Sequence, residues 1–153
     1  RNIIIKGKAP VDSECEPKIN SAHVFYEDDI IYDVLLNQTN FQFNNNKFYI
    51  IQLIEDDAVM NYSVWYRWGR VGRVGQSKLE SYGSDLEGAK EAFIGKFYAK
   101  TFNHWSDRTN FVKVDGKYDI VHLDYAIQSD DVPAKKKKRK TDSKLSEPTF
   151  VSL

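Results

Sequence analysis

The residues best equipped for chemistry are concentrated between Trp65 and Gln76, which reads Trp65-Tyr66-Arg67-Trp68-Gly69-Arg70-Val71-Gly72-Arg73-Val74-Gly75-Gln76. Fixed positive charge, flat indole surface and permissive backbone coincide here without any acidic residue. Guanidinium groups give charge-assisted forks to anions, and an indole packs on a sugar or a ring. This stretch therefore suits an anion held beside a flat group. The plain alternative is that Trp68 is core and Arg67, Arg70 and Arg73 are solvated hairpin residues.

Other segments extend the same chemistry. Asn44-Asn45-Asn46-Lys47 offers amide and ammonium donors for a phosphate backbone, although asparagines equally suit left-handed turns. Lys96 and Lys100 lie one helical turn apart and either widen a basic surface or simply complement a helix C-terminus. Tyr118 either stacks on a ligand or packs. Catalytic constellations are missing: His23, His104 and His122 lack metal-ligand spacing, and Cys15 has no neighbouring base. The glycines at 69, 72 and 75 make neither a dinucleotide fingerprint nor a P-loop.

The elements that must position these groups follow from hydrophobic periodicity. Runs at residues 23–26 and 30–36 predict a hairpin around Glu27-Asp28-Asp29, with Ile30, Tyr32, Val34 and Leu36 on one face. Lys47 to Ile54 is apolar on both faces and predicts a central strand. Tyr62, Val64, Tyr66 and Trp68 then share one face of a strand whose regular alternation Gly69 ends, with Ser63, Trp65 and Arg67 on the other face. Gln76 to Tyr82 returns as another strand. Ser84-Asp85-Leu86-Glu87 fits a capping box with Ser84 as N-cap, opening a helix to about Lys100 or Phe102 whose stripe is Leu86, Ala89, Phe93 and Phe97. A compact loop at 103–108 and a final strand from Tyr118 to Tyr125 complete the pattern. The expected class is α+β, a twisted antiparallel β-sheet packed against one main helix.

Length and charge set the limits. The chain has 153 residues, 41% apolar and 14% aromatic, enough for a single core with tails. The division expected is a loosely docking leader at 1–20, a binding domain at 21–131 and a basic disordered tail at 132–153. No apolar run approaches the ~20 residues of a membrane helix, and one cysteine cannot form an internal disulfide, so a reduced, soluble protein without membrane contact is expected. The tail holds seven basic residues against two acids, leaving 15 basic and 20 acidic residues upstream, net −5. Nucleic-acid affinity must therefore come from a local patch, and Arg67, Arg70, Arg73 and Lys78 supply one. The run Lys135-Lys136-Lys137-Lys138-Arg139-Lys140 reads as a nuclear-import signal, a nonspecific nucleic-acid tail or a solubilising linker.

Taken together, Tyr49 to Glu55, Trp68-Gly69-Arg70-Val71-Gly72, Gly75-Gln76, Leu36-Asn37-Gln38-Thr39-Asn40, Asn44-Asn45-Asn46-Lys47, Lys100-Thr101 with Asn103 and Trp105, and Lys117-Tyr118-Asp119 resemble one family. It is the WGR domain of the DNA-dependent poly(ADP-ribose) polymerases, nearest the polymerase 2 type, and the likeness covers about Ala9 to Ala126. The resemblance implies a regulatory module that grips strand ends at nicks and double-strand breaks, with preference for a 5′-phosphate. It implies Arg70 and Trp68 both at the break and in the relay toward a helical and catalytic region. Asn44, Asn46, Lys47, Lys100 and Tyr118 would hold the DNA, with Arg67, Arg73 and Gln76 in secondary roles. It implies no cofactor in this chain, with NAD+ as substrate of a catalytic domain outside it, and a nuclear location; bridging of two DNA ends stays open. The basic run at 135–140 departs from the pattern. A protein-interaction module with incidental nucleic-acid affinity is the alternative.

Overall fold

The computed structural model describes residues 9–123. Its main sheet is antiparallel and six-stranded, built from β1 (Ala22–Val24), β4 (Asp33–Asn40), β5 (Asn45–Asp56), β6 (Tyr62–Arg70), β7 (Gln76–Gly83) and β8 (Asp119–Val121). The strand order is β7-β6-β5-β4-β8, and β1 pairs with β5 end to end with β4, along the same edge. One long helix, α1 (Leu86–Thr101), covers one face. This is the α+β arrangement expected, with β5 central as its two-sided apolarity requires.

The main core lies between sheet and helix. Ala89, Phe93 and Phe97 of α1 are wholly buried against Val34, Leu36, Ile51, Leu53 and Val64. Leu86 packs at the margin, so the stripe legible at helical spacing is the one used. Tyr62, Val64 and Tyr66 face this core with Trp68, while Trp65 faces a second, smaller core with Cys15 and Ile54.

Several boundaries differ from expectation, each for a local reason. The hairpin around the acidic turn is only two residues deep on each side, β2 (Tyr26–Glu27) against β3 (Ile30–Ile31). The residues before it pair with β5 instead, because Val24 and Phe25 complete the sheet edge beyond β4. The helix N-cap is Asp85, whose carboxylate accepts from the Gly88 N–H at 2.9 Å, so Ser84 lies one residue too early. Both residues suit the position, and the aspartate adds charge that favours the helix N-terminus. The alternation expected to end at Gly69 carries on one residue further, with Arg70 paired opposite Lys47 at the end of β6. The last strand is short, and Asp124, Tyr125 and everything beyond lie outside the described residues, as does the basic run.

The largest correction concerns the leader. From Ala9 onward it is seated on the sheet face opposite the helix, with Cys15 wholly buried. The Gln52 side chain accepts from the Asp12 N–H at 2.9 Å and donates to the Pro10 carbonyl at 3.1 Å. The Asp12 carboxylate accepts from Trp65 Nε1 at 2.8 Å and Arg67 Nε at 2.7 Å. Buried donors on β6 need an acceptor, and this segment supplies it.

Candidate nucleic-acid interface

Strand register assembles the site. Lys47 of β5 stands opposite Arg70 of β6, and Tyr49 opposite Trp68. Paired residues project from the same face, here the helix side, because Tyr49 and Trp68 both pack on the main core. The two rings stack with centroids 5.6 Å apart and planes 12° from parallel. Tyr118 meets Tyr49 edge-on at 6.0 Å. Its N–H donates to the Lys100 carbonyl at 2.9 Å, so the approach to the last strand is tied to the helix C-terminus. The Lys47 ammonium lies 5.6 Å from the Tyr118 ring and that of Lys100 4.8 Å from the Tyr49 ring.

Two glycines hold Arg70 at the rim. A Cβ on Gly69 would lie 2.8 Å from Gly75 Cα, and one on Gly75 would overlap the Trp68 carbonyl. Gly75 also has a φ of 79°, which disfavours other residues. The backbones at 69 and 75 therefore approach more closely than side chains allow. The Arg73 N–H donates to the Arg70 carbonyl at 3.0 Å, and the Val71 N–H to the Asn46 carbonyl at 2.9 Å, linking the β6–β7 turn to the neighbouring hairpin.

The rim concentrates positive charge. The Arg70 side chain is exposed and has no hydrogen bond or ion pair among the described residues. Loss of hydration, then the charges of Lys96, Lys47 and Lys117, hold the Lys100 ammonium below the usual lysine range. Burial, helped by Tyr118 and Glu80, pushes the Tyr49 hydroxyl up to about 12, so the platform beneath Lys100 stays neutral.

The structure brings together Lys47, Trp68, Arg70, Lys100 and Tyr118. Gln76 joins them, exposed and in register with Trp68. Arg73 is exposed in the turn. Arg67 is not part of the group: strand alternation turns it to the opposite face, where its guanidinium makes a two-pronged pair with Asp12 and donates to the Val74 carbonyl at 2.8 Å. Asn46 lies on that face too, its Oδ1 accepting from Asn37 at 2.7 Å and Thr39 at 3.0 Å, which leaves its amino group as the outward donor. Asn44 caps the 3₁₀ turn Phe41–Phe43 in the left-handed conformation, with φ 53°. Sequence reasoning missed Tyr49 and Lys117, which cross-strand pairing with Trp68 and adjacency to Tyr118 could have suggested. It also missed Asp12, for which local sequence holds no signal.

Among the described residues no group of His, Cys, Asp and Glu side chains forms a metal site. His23 is held between Glu55 and Asp57, at 2.8 and 2.7 Å. Burial pushes the Cys15 thiol up to about 11, which suppresses the reactive thiolate.

Comparison with known proteins agrees with this architecture. The family model for the WGR domain matches residues 32–112, more than half of the chain. The chain is 52% identical to human poly [ADP-ribose] polymerase 2 over 151 residues, covering 99% of this chain and 26% of that protein. It is 43% identical to the Arabidopsis thaliana poly [ADP-ribose] polymerase 2 over 84% of this chain and 20% of the relative. To the human protein mono-ADP-ribosyltransferase PARP3 it is 47% identical over 74% of this chain and 20% of the relative. The chain thus spans about a quarter or less of these relatives, and their catalytic domain is not contained in it. By sequence match and by the placement of its Trp68-Gly69-Arg70 strand end, the chain belongs to the WGR domain family.

Proposed function

We propose that this chain is the regulatory DNA-break-binding module of an ADP-ribosyltransferase, and that it recognises a severed strand by its 5′-phosphate. The observation that carries the reading is Arg70: exposed, without an internal partner among the described residues, and directly opposite Lys47 at the rim beside the Trp68–Tyr49 stack. A terminal phosphate bears more charge than an internal one and meets a guanidinium in a bidentate geometry. Lys47, Lys100 and the Tyr118 hydroxyl are the next donors along the strand. Trp68 supplies the flat surface for the adjoining sugar or base. Asn44 and the amino group of Asn46, with Gln76 and Arg73, approach from the hairpin and turn, whereas Arg67 serves by holding β6 to the leader.

On this reading Trp68 and Arg70 also relay binding to a helical and catalytic region of a longer parent. There NAD+ is the substrate, this module needs no cofactor, and the nucleus is the place of action. Simultaneous capture of two ends belongs to the same proposal. A titration of nicked, gapped and blunt DNA, each with and without its terminal phosphate, tests it: affinity should rise with the phosphate and fall on intact duplex. Equal affinity for nicked and intact duplex would instead favour a protein-docking module, to which the exposed stack of Tyr98 on Phe102 and His104 is suited.

A further inference from the structure

The 3₁₀ turn between β4 and β5 carries two phenylalanines that the fold does not use. Phe41 is 90% exposed and Phe43 68% exposed, and neither packs against another ring or a core cluster. The turn that presents them is nevertheless well braced. The Asn40 side chain accepts from the Gln42 N–H at 3.1 Å and the Phe43 N–H at 3.4 Å, and the Asn44 N–H donates to the Phe41 carbonyl at 3.2 Å. Strand pairing continues through Asn40 and Asn45 up to its base. Exposed phenyl rings on a braced turn lose hydrophobic stabilisation for as long as they face water, so a partner that covers them gains directly.

Charge identifies that partner. The segments 37–54 and 64–79 beside this turn contain no acidic residue, the acid of the adjoining strand being Asp119 of β8 opposite Asn37, and Lys47 and Arg70 stand at the rim with Arg73 in the next turn. The rings are flanked on both sides by asparagine and glutamine amides rather than by aliphatic side chains, unlike the centre of a protein interface. From the Lys47–Arg70 pair the turn lies about 7 Å further along β5 at ~3.4 Å per residue, a distance of about two nucleotides in a strand. A polyanion held at the rim therefore brings flat, partly unstacked rings to the phenyls.

We propose that Phe41 and Phe43 are a base-stacking element that contacts the opened base faces of nucleic acid at a strand break, next to the phosphate held by Arg70. This rests on the DNA-break reading above, and the test separates the two. The full chain, as wild type, Phe41→Ala/Phe43→Ala and Arg70→Ala, is titrated against a 5′-phosphorylated nicked duplex carrying 2-aminopurine beside the nick, and against the intact duplex. The double variant should bind the nicked duplex on the order of tenfold to a hundredfold more weakly, the usual effect of losing base–aromatic stacking. The salt slope and the intact-duplex affinity should not change, and wild type alone should perturb the 2-aminopurine fluorescence. Phe41→Trp/Phe43→Trp should restore both signals, and thermal midpoints should match throughout because the rings support no core. If Arg70→Ala weakens nick binding while the phenylalanine variant matches wild type, the stacking proposal fails and the break reading stands. Equal weakening on both duplexes, or phenylalanine-dependent self-association without DNA, also overturns it. If wild type itself does not distinguish nicked from intact duplex, both readings fall.

Discussion

At the scale of single residues, the two arginines of β6 show how alternation assigns opposite duties to one side-chain type. Arg70 faces the helix side at the rim and is uncommitted among the described residues, whereas Arg67 faces away and is locked to Asp12. Arg70→Ala should therefore weaken binding to a phosphorylated nick by about 1.5–3 kcal/mol with little effect on stability, as read by fluorescence titration and thermal unfolding. Asp12→Asn should do the reverse, costing about 1.5–3 kcal/mol of stability at neutral pH because charged hydrogen bonds to Trp65 and Arg67 are lost. Its pH dependence has a definite sign. Burial raises the Asp12 carboxyl, but hydrogen bonds from Arg67 and Trp65 and the Arg67 charge outweigh it and hold the group below its ordinary value. A carboxyl depressed by folding stabilises above its unfolded pKa and loses that contribution as pH falls through the folded one. The stability gap between wild type and Asp12→Asn should accordingly narrow below about pH 4 in denaturant melts.

Among the elements, the β6–β7 turn and the helix respond to substitution in opposite ways. Gly75→Ala forces a methyl group into the Trp68 carbonyl at a positive φ. It should lower stability by more than about 1–2 kcal/mol and displace Arg70, so binding weakens with it. Gly95 lies mid-helix on the exposed side, and an added Cβ there meets no atom within 4 Å. Gly95→Ala should raise stability by about 0.5–1 kcal/mol and leave binding unchanged, as calorimetry and titration together would show. Element types were legible because period-two and helical spacing record which face is buried. Boundaries were less so: Ser84 and Asp85 are equally good caps on paper, and the carboxylate that meets the Gly88 N–H wins. The short β2–β3 pair was overestimated because Val24 and Phe25 found the free edge of β5, a choice that depends on where β4 begins.

Across the whole molecule, binding must overcome an acidic background. Upstream of residue 132 the chain is net −5, so on the proposed reading the phosphate affinity of that part rests on the local rim rather than on bulk charge. If Arg70, Lys47 and Lys100 each neutralise one phosphate, the log-log dependence of affinity on salt should have a slope of about −2.7 on duplex DNA. Replacing the six basic residues at 135–140 by glutamine in the full chain should lower affinity for intact and nicked duplex alike while preserving the preference for the phosphorylated nick. A loss of that preference in filter-binding competition would move recognition from the rim to the tail.

The sequence alone determined the class of fold, the buried stripe of α1, the split faces of β6 and the concentration of arginine, glycine and indole at the end of that strand. These are local properties, because burial periodicity and turn chemistry are written into neighbouring residues. Only the tertiary structure decided which cations converge and which are spent. Lys47 faces Arg70 through strand register, Tyr118 reaches Lys100 through one backbone hydrogen bond, and Arg67, already turned from the rim by alternation, is bound up by Asp12, 55 positions earlier in the chain. Contacts of that separation depend on the packing of whole strands, and no short stretch of sequence encodes them.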